Sequence, residues 1–178
     1  MNNPGKLVVL VFLILAGIAV WLGITHLRQP GAPAGLTGEG LSALPPFSYP
    51  DVEGNLRASE EWSDKILVIN FWATWCPPCR EEMPLFVDSQ TKYGAKGVQF
   101  IGIAIDDRDI VRDFADVYGI NFPILIGSTE AIELANQLGN RFNSLPFTAI
   151  FDRLKQTTYT QGGQISRERL EQELEKLL

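Results

Sequence analysis

The sequence predicts an α/β sandwich, and three stretches carry that prediction. Ile66–Ala73 is almost wholly apolar, β-branched or aromatic, the composition of a parallel strand buried on both faces, and it leads into helix-compatible residues. Val98–Ile105 (VQFIGIAI) repeats the pattern ahead of a second helix start. Thr148–Phe151 and Thr157–Thr160 are joined by the polar turn DRLKQ, which predicts an antiparallel pair, and an amphipathic helix follows. Strands that alternate with helices and close on a hairpin and a last helix make a layered α/β domain.

The elements before that core come first in the chain. Leu7–Ile24 is a run of 18 residues without a charge; as a helix it would span ~27 Å, close to the ~30 Å of a bilayer's hydrocarbon. Trp21 suits the interface at its end, and His26 reads as an interfacial polar residue. The competing reading is a cleaved signal peptide, with Ala32-Pro33-Ala34 as its site. That triplet lies ten residues past the apolar run, and the run exceeds an ordinary signal core of ~7–15 residues. The expected organisation is a tail over 1–6, a transmembrane anchor over 7–24, a Pro/Gly-rich tether over 25–43 and a folded domain over 44–178.

Pro45–Arg57 carries Pro-Asp, Glu-Gly and Gly-Asn turn signals and predicts a β-hairpin at the sheet edge. Ser59 is a candidate N-cap for a short helix through Trp62. After the first buried strand and its helix, which contains Pro84, Gly94 and Gly97 bound a turn. Asp106, Asp107 and Asp109 open a helix to about Tyr118 with Ile110, Phe114 and Val117 as its apolar face; the aspartates read as a solvated helix start. Phe122–Ile126 is a candidate short strand, and Ser128 a cap for a helix through Leu138. Ser166 opens the terminal helix, with Leu170, Leu174, Leu177 and Leu178 on one stripe.

Composition narrows the chemistry. Setting aside Lys6 and Arg28, the chain beyond Arg28 holds 13 Lys+Arg against 21 Asp+Glu, a net −8, which argues against nucleic-acid binding. Two cysteines and one histidine do not make a four-ligand zinc or iron–sulfur site, and no cofactor is expected. Both cysteines fall in Trp75-Cys76-Pro77-Pro78-Cys79, directly after the first buried strand. Three residues apart at a helix start, they share one face of the first turn. Pro77 and Pro78 are tolerated where backbone N–H groups have no helical partner to lose. The unpaired N–H groups and the positive end of the helix dipole stabilise a thiolate at Cys76. A low-pKa thiol beside a second thiol is the apparatus of thiol–disulfide exchange.

FWATWCPPC followed by Arg80-Glu81-Glu82-Met83-Pro84 resembles the TlpA/ResA-like branch of the thioredoxin superfamily, from about Leu44 to the C-terminus. The resemblance implies a thioredoxin-like fold with an N-terminal β-hairpin and a central βα insertion, on a membrane-anchored, extracytoplasmic thiol:disulfide oxidoreductase. It also implies that Cys76 and Cys79 form the redox-active disulfide, and that Pro146 is the cis-proline that faces it. Thioredoxin itself usually carries an Asp where this chain has Asn70. Asn70 does not titrate, so Glu82 becomes the candidate base for Cys79; the competing reading is a first-turn acid favoured by the helix dipole. Trp75, Pro77, Pro78, Leu145 and Pro146 are the candidate substrate-binding residues. Trp72 reads as packing.

The expected reaction is reduction of protein disulfides, on apocytochrome c or copper-site proteins, fed by a membrane electron donor. The inner membrane, with the domain on the periplasmic side, is the expected location. Three alternatives stand beside it: a cytochrome c maturation reductase of the CcmG kind, a Cu(I)-binding chaperone using the same thiolates, and a peroxiredoxin. The last needs a peroxidatic Cys in a Thr-rich loop rather than CxxC.

Overall fold

A computed structural model of the protein describes residues 41–178. The apolar run over 7–24 and the tether up to residue 40 lie outside the described residues. Among the described residues no helix is long and apolar enough to cross a membrane. The chain is already bonded at Leu41, whose N–H donates to Gln137 O (2.7 Å). Thr157 N donates to Ser42 O (2.8 Å), and Ala43 bridges Gln156.

The centre is a five-stranded sheet in the order β5–β4–β3–β6–β7. β3 (Ile66–Trp72) is buried at all seven positions, as its unbroken apolar run predicts. β4 (Val98–Ala104) lies parallel to it, with Asn70 opposite Gly102 and Trp72 opposite Ala104. β5 (Ile124–Ile126) adds a parallel edge. On the other side of β3, β6 (Phe147–Phe151) and β7 (Thr157–Gly162) run antiparallel, with a register irregularity at Ile150/Phe151. β1 (Ser48–Pro50) and β2 (Leu56–Ala58) form a separate antiparallel ribbon. It touches the edge of the main sheet through an Asp51–Leu125 bridge. Ser59 lies inside the following 3-10 turn rather than capping it, and its Oγ accepts from Phe47 N (3.3 Å).

Helices cover both faces. α1 (Pro77–Tyr93) follows β3 and runs through Pro84 as one element. α2 (Arg108–Tyr118) starts at the Asp107 cap, whose carboxylate accepts from Asp109 N (2.9 Å), and stops at Gly119 (φ 61°). α3 (Thr129–Gln137) follows β5, and α4 (Arg167–Glu175) is capped by Ser166 Oγ accepting from Arg169 N (3.2 Å). α2, β5 and α3 thus sit between β4 and β6, where the central insertion is expected.

Alternation along β3 splits the core in two. Ile66, Val68 and Trp72 face a cluster with Met83 and Phe86 of α1, Val111 of α2 and Leu170 and Leu174 of α4. Leu67, Ile69 and Phe71 face Phe47, Tyr49 and Leu134. At roughly 1.5–3 kcal/mol per buried large apolar side chain, β3 anchors both halves. One expectation fails. α2 buries Val111, whereas Ile110 and Val117 are 53% and 81% exposed. Its inward side is Val111, Phe114, Ala115 and Tyr118, rotated by about one residue's 100° from the stripe the periodicity picks out.

Candidate active site

The motif lies where β3 gives way to α1. Cys76 N donates to Ala73 O (3.2 Å), closing a tight turn over Thr74 and Trp75. Cys76 then takes the N-cap position in extended conformation (φ −92°, ψ 106°), and Pro77 and Pro78 fill the first two helical places. Arg80 N donates to Cys76 O (3.2 Å), starting the helical ladder. Cys76 Sγ accepts from Cys79 N (3.4 Å), so the sulfur itself caps the helix. The two cysteines are joined as a disulfide, with Cα atoms 5.3 Å apart. Cys76 is 4% exposed and Cys79 not at all, so an incoming group meets Cys76 first. Around them Trp75 stands 66% exposed, Pro77 is exposed and Pro78 half-buried.

Beneath the motif is a buried polar cluster. Glu82, one turn past Cys79, is 2% exposed. Asn70 Nδ2 donates to its Oε1 (2.8 Å), and Ile165 N donates to Oε2 (3.3 Å). Burial dominates and pushes the Glu82 carboxyl up from 4.5 to about 8; the two hydrogen bonds pull the other way. Burial is what sets this carboxyl apart from an exposed acid at a helix start. Asn70 Nδ2 also donates to Thr148 Oγ1 (3.1 Å), tying β3 to β6, while the buried Asn70 Oδ1 has no partner.

The loop before β6 reaches the same place. The Leu145–Pro146 peptide is cis. Leu145 packs against the cluster that contains Cys76 and Cys79. Asn140 holds the loop: its Nδ2 donates to Ser144 O (3.0 Å), and its Oδ1 accepts from Ser144 N (3.0 Å) and Ser144 Oγ (2.9 Å). Pro146 O accepts from Gly163 N (2.8 Å).

Asp106 corrects the reading of the aspartates as a solvated start. Asp107 and Asp109 are exposed, but Asp106 is half-buried and its Oδ2 accepts from both Thr74 N (2.9 Å) and Thr74 Oγ1. It fixes the turn two residues ahead of Cys76. On the far side of the motif, Arg80 Nη2 donates to Tyr118 OH (3.3 Å). Asn140, Thr148 and Asp106 brace the surroundings of the motif, a place the sequence reading did not give them. Asp106 follows Thr74 by 32 residues and Thr148 follows Asn70 by 78, separations that no local pattern spans.

Comparison with known proteins agrees with this geometry. Residues 39–178 match the Redoxin family. The chain is 33% identical over 134 residues to the thiol-disulfide oxidoreductase ResA of Bacillus thuringiensis (strain Al Hakam), covering 75% of each chain. It is 31% identical over 163 residues to ResA of Halalkalibacterium halodurans, covering 91% of this chain and 90% of the relative. Among solved structures, a thiol:disulfide interchange protein of Chlorobium tepidum superposes with a TM-score of 0.70 at 27% identity, over 76% of this chain and 95% of its own.

Proposed function

Since this chain belongs to the Redoxin family, among the ResA-like thiol-disulfide oxidoreductases, we propose that it works as a membrane-anchored reductase of protein disulfides outside the cytoplasm. The anchor is the apolar run over 7–24, and an electron donor in the membrane returns the disulfide to the dithiol. The reaction class is shared with the relatives; direction, anchoring and residue roles are this reading's own.

In the reduced protein the Cys76 thiolate attacks one sulfur of a partner disulfide. A Cys76–partner S–S bond forms, the partner's own S–S bond breaks, and its second sulfur leaves as a thiolate. Cys79 then gives its proton to Glu82 and attacks Cys76 Sγ. The Cys76–Cys79 bond forms, the mixed disulfide breaks, and the partner's remaining sulfur leaves as a thiolate; the partner carries off the two electrons and takes its two protons from water. Glu82 keeps the proton in the oxidised protein and returns it to Cys79 when the donor reduces the disulfide. The observation that carries this reading is the buried Glu82 carboxyl on Asn70, one helical turn past a fully buried Cys79.

Trp75, Pro77, Pro78, Leu145 and Pro146 form the ground a partner chain crosses to reach Cys76. Apocytochrome c and copper-site proteins are the partner classes this reading favours, and a cytochrome c maturation reductase is a special case of it. A Cu(I) chaperone is not favoured, since the relatives are thiol-disulfide oxidoreductases. The test is reduction of insulin by the dithiol form as pH is varied, for wild type and Glu82→Gln. General-base loss typically costs ~10²-fold. The variant is expected to slow release by that order and to lose one ionisation from its pH–rate profile. Wild-type turnover and pH dependence in the variant would remove Glu82 from the mechanism.

A further inference from the structure

α2 neighbours the redox motif and carries an exposed apolar stripe, Ile110 and Val117. Three contacts bind α2 and its lead-in to the motif's surroundings: Asp106 to Thr74, Tyr118 to Arg80, and Phe114 against the Trp72 ring (centroids 5.1 Å apart). These contacts make α2 a neighbour of the motif, and its exposed stripe is the part of the helix left open to a partner. At 100° per residue, Ile110 and Val117 point within ~20° of each other and stand ~10 Å apart along the axis. Phe114, half-buried beside them, turns inward onto Trp72 and stacks on Tyr118 (4.0 Å, 12°), which backs the stripe.

Charge decides what covers it. From Asp106 to Tyr118 there are five aspartates against Arg108 and Arg112. Arg112 is engaged by Asp109 (3.0 Å) and Asp113 (3.7 Å), and Arg108 reaches back beside Gly54. On the helical wheel Asp113, Asp109 and Asp116 flank the stripe on its solvent side. An acidic rim repels a second copy presenting the same rim, and it repels an anionic lipid surface. It attracts a polypeptide with apolar side chains set among lysines or arginines.

We propose that the Ile110–Val117 face of α2, with its aspartate rim, is the docking surface for the protein whose disulfide is exchanged, and that it selects an apolar segment bordered by basic residues beside that disulfide. The proposal rests on the reductase reading above.

The test measures the rate constant for oxidation of the reduced full chain by three disulfides. Two are synthetic peptides, each with an internal disulfide flanked by Leu and Phe, one bearing Lys and the other Glu at the same neighbouring positions. The third is bis(2-hydroxyethyl) disulfide. Wild type is expected to favour the Lys peptide over the Glu peptide, less so as salt rises. Ile110→Ser with Val117→Ser is expected to lower the ratio of Lys-peptide rate to small-disulfide rate roughly tenfold, through lost apolar burial. Asp113→Lys with Asp116→Lys is expected to invert the peptide preference.

An unmoved ratio in the serine variant, or equal wild-type rates for the two peptides, overturns the proposal. So does a wild-type dimer that the serine variant dissolves, which would assign the face to a second copy. Protection of α2 amides from exchange by phosphatidylglycerol vesicles alone would assign it to lipid. Wild type inert toward the small disulfide would refute the reductase reading, and this proposal with it.

Discussion

Among the described residues, Glu82 is a carboxylic acid held where its charged form is disfavoured, 2% exposed and pushed up to about 8. With its carboxyl at about 8, roughly one-tenth is ionised at pH 7 in the oxidised protein. The consequence for stability has a definite sign. Below about pH 4.5 the native and unfolded chains both hold the proton, and there is no difference between them. From there to about pH 8 the unfolded chain ionises while the native one keeps its proton, so stability falls as pH rises. At ~1.4 kcal/mol per tenfold change in proton affinity, the full cost above pH 8 is on the order of a few kcal/mol. Urea titrations of the oxidised protein should therefore find Glu82→Gln gaining on wild type between pH 5 and pH 8. A constant offset across that range would mean that the carboxyl titrates normally. The cysteines are set apart by position in the same way. Iodoacetamide on the reduced protein near neutral pH should label Cys76, at the helix cap, well before Cys79, and labelling led by Cys79 would reverse their roles.

At the scale of elements, the motif depends on the segments that brace it. Asp106 takes two hydrogen bonds from Thr74, and bonds to a charged acceptor contribute about 1.5–3 kcal/mol each at most. Asp106→Ala should lower stability by roughly 1–3 kcal/mol and blunt the difference in alkylation rate between Cys76 and Cys79. Asp106→Asn, which keeps an acceptor oxygen, should recover much of both; no change with alanine would show that the turn holds itself. Asn140→Ala should loosen the Ser144–Pro146 loop through three lost bonds. Its expected signature is faster amide exchange at Ser144 and a higher KM for insulin with little change in kcat.

These braces mark the limit of what the chain discloses in one dimension. The order of strands and helices, the capping cysteine, the antiparallel closing pair and the place of Glu82 one turn past Cys79 were all legible, because period, caps and motif spacing are local. The Asn70–Thr148 and Thr74–Asp106 bonds were not, since they join residues on different elements. α2 shows a subtler gap: its amphipathic period was real, but the flank that meets the core is fixed by how β4 delivers the helix. Ile110 and Val117 were thus read as core and lie in solvent.

For the molecule as a whole, β3 links all of this. Its two faces serve two cores, and Asn70, within its apolar run, reaches Glu82 on α1 and Thr148 on β6. Phe71→Ala should cost roughly 3–5 kcal/mol, enough to threaten the whole domain, and chemical denaturation would register it as a lowered midpoint with the slope kept. The central claim is narrower: Cys76 attacks and Cys79 resolves. The most direct test is to reduce the full-chain Cys79→Ala variant, mix it with insulin and digest the product for mass spectrometry. A stable insulin adduct through Cys76, which wild type does not accumulate, is the predicted result. No adduct with Cys79→Ala, with the adduct forming instead through Cys79 in Cys76→Ala, would contradict it.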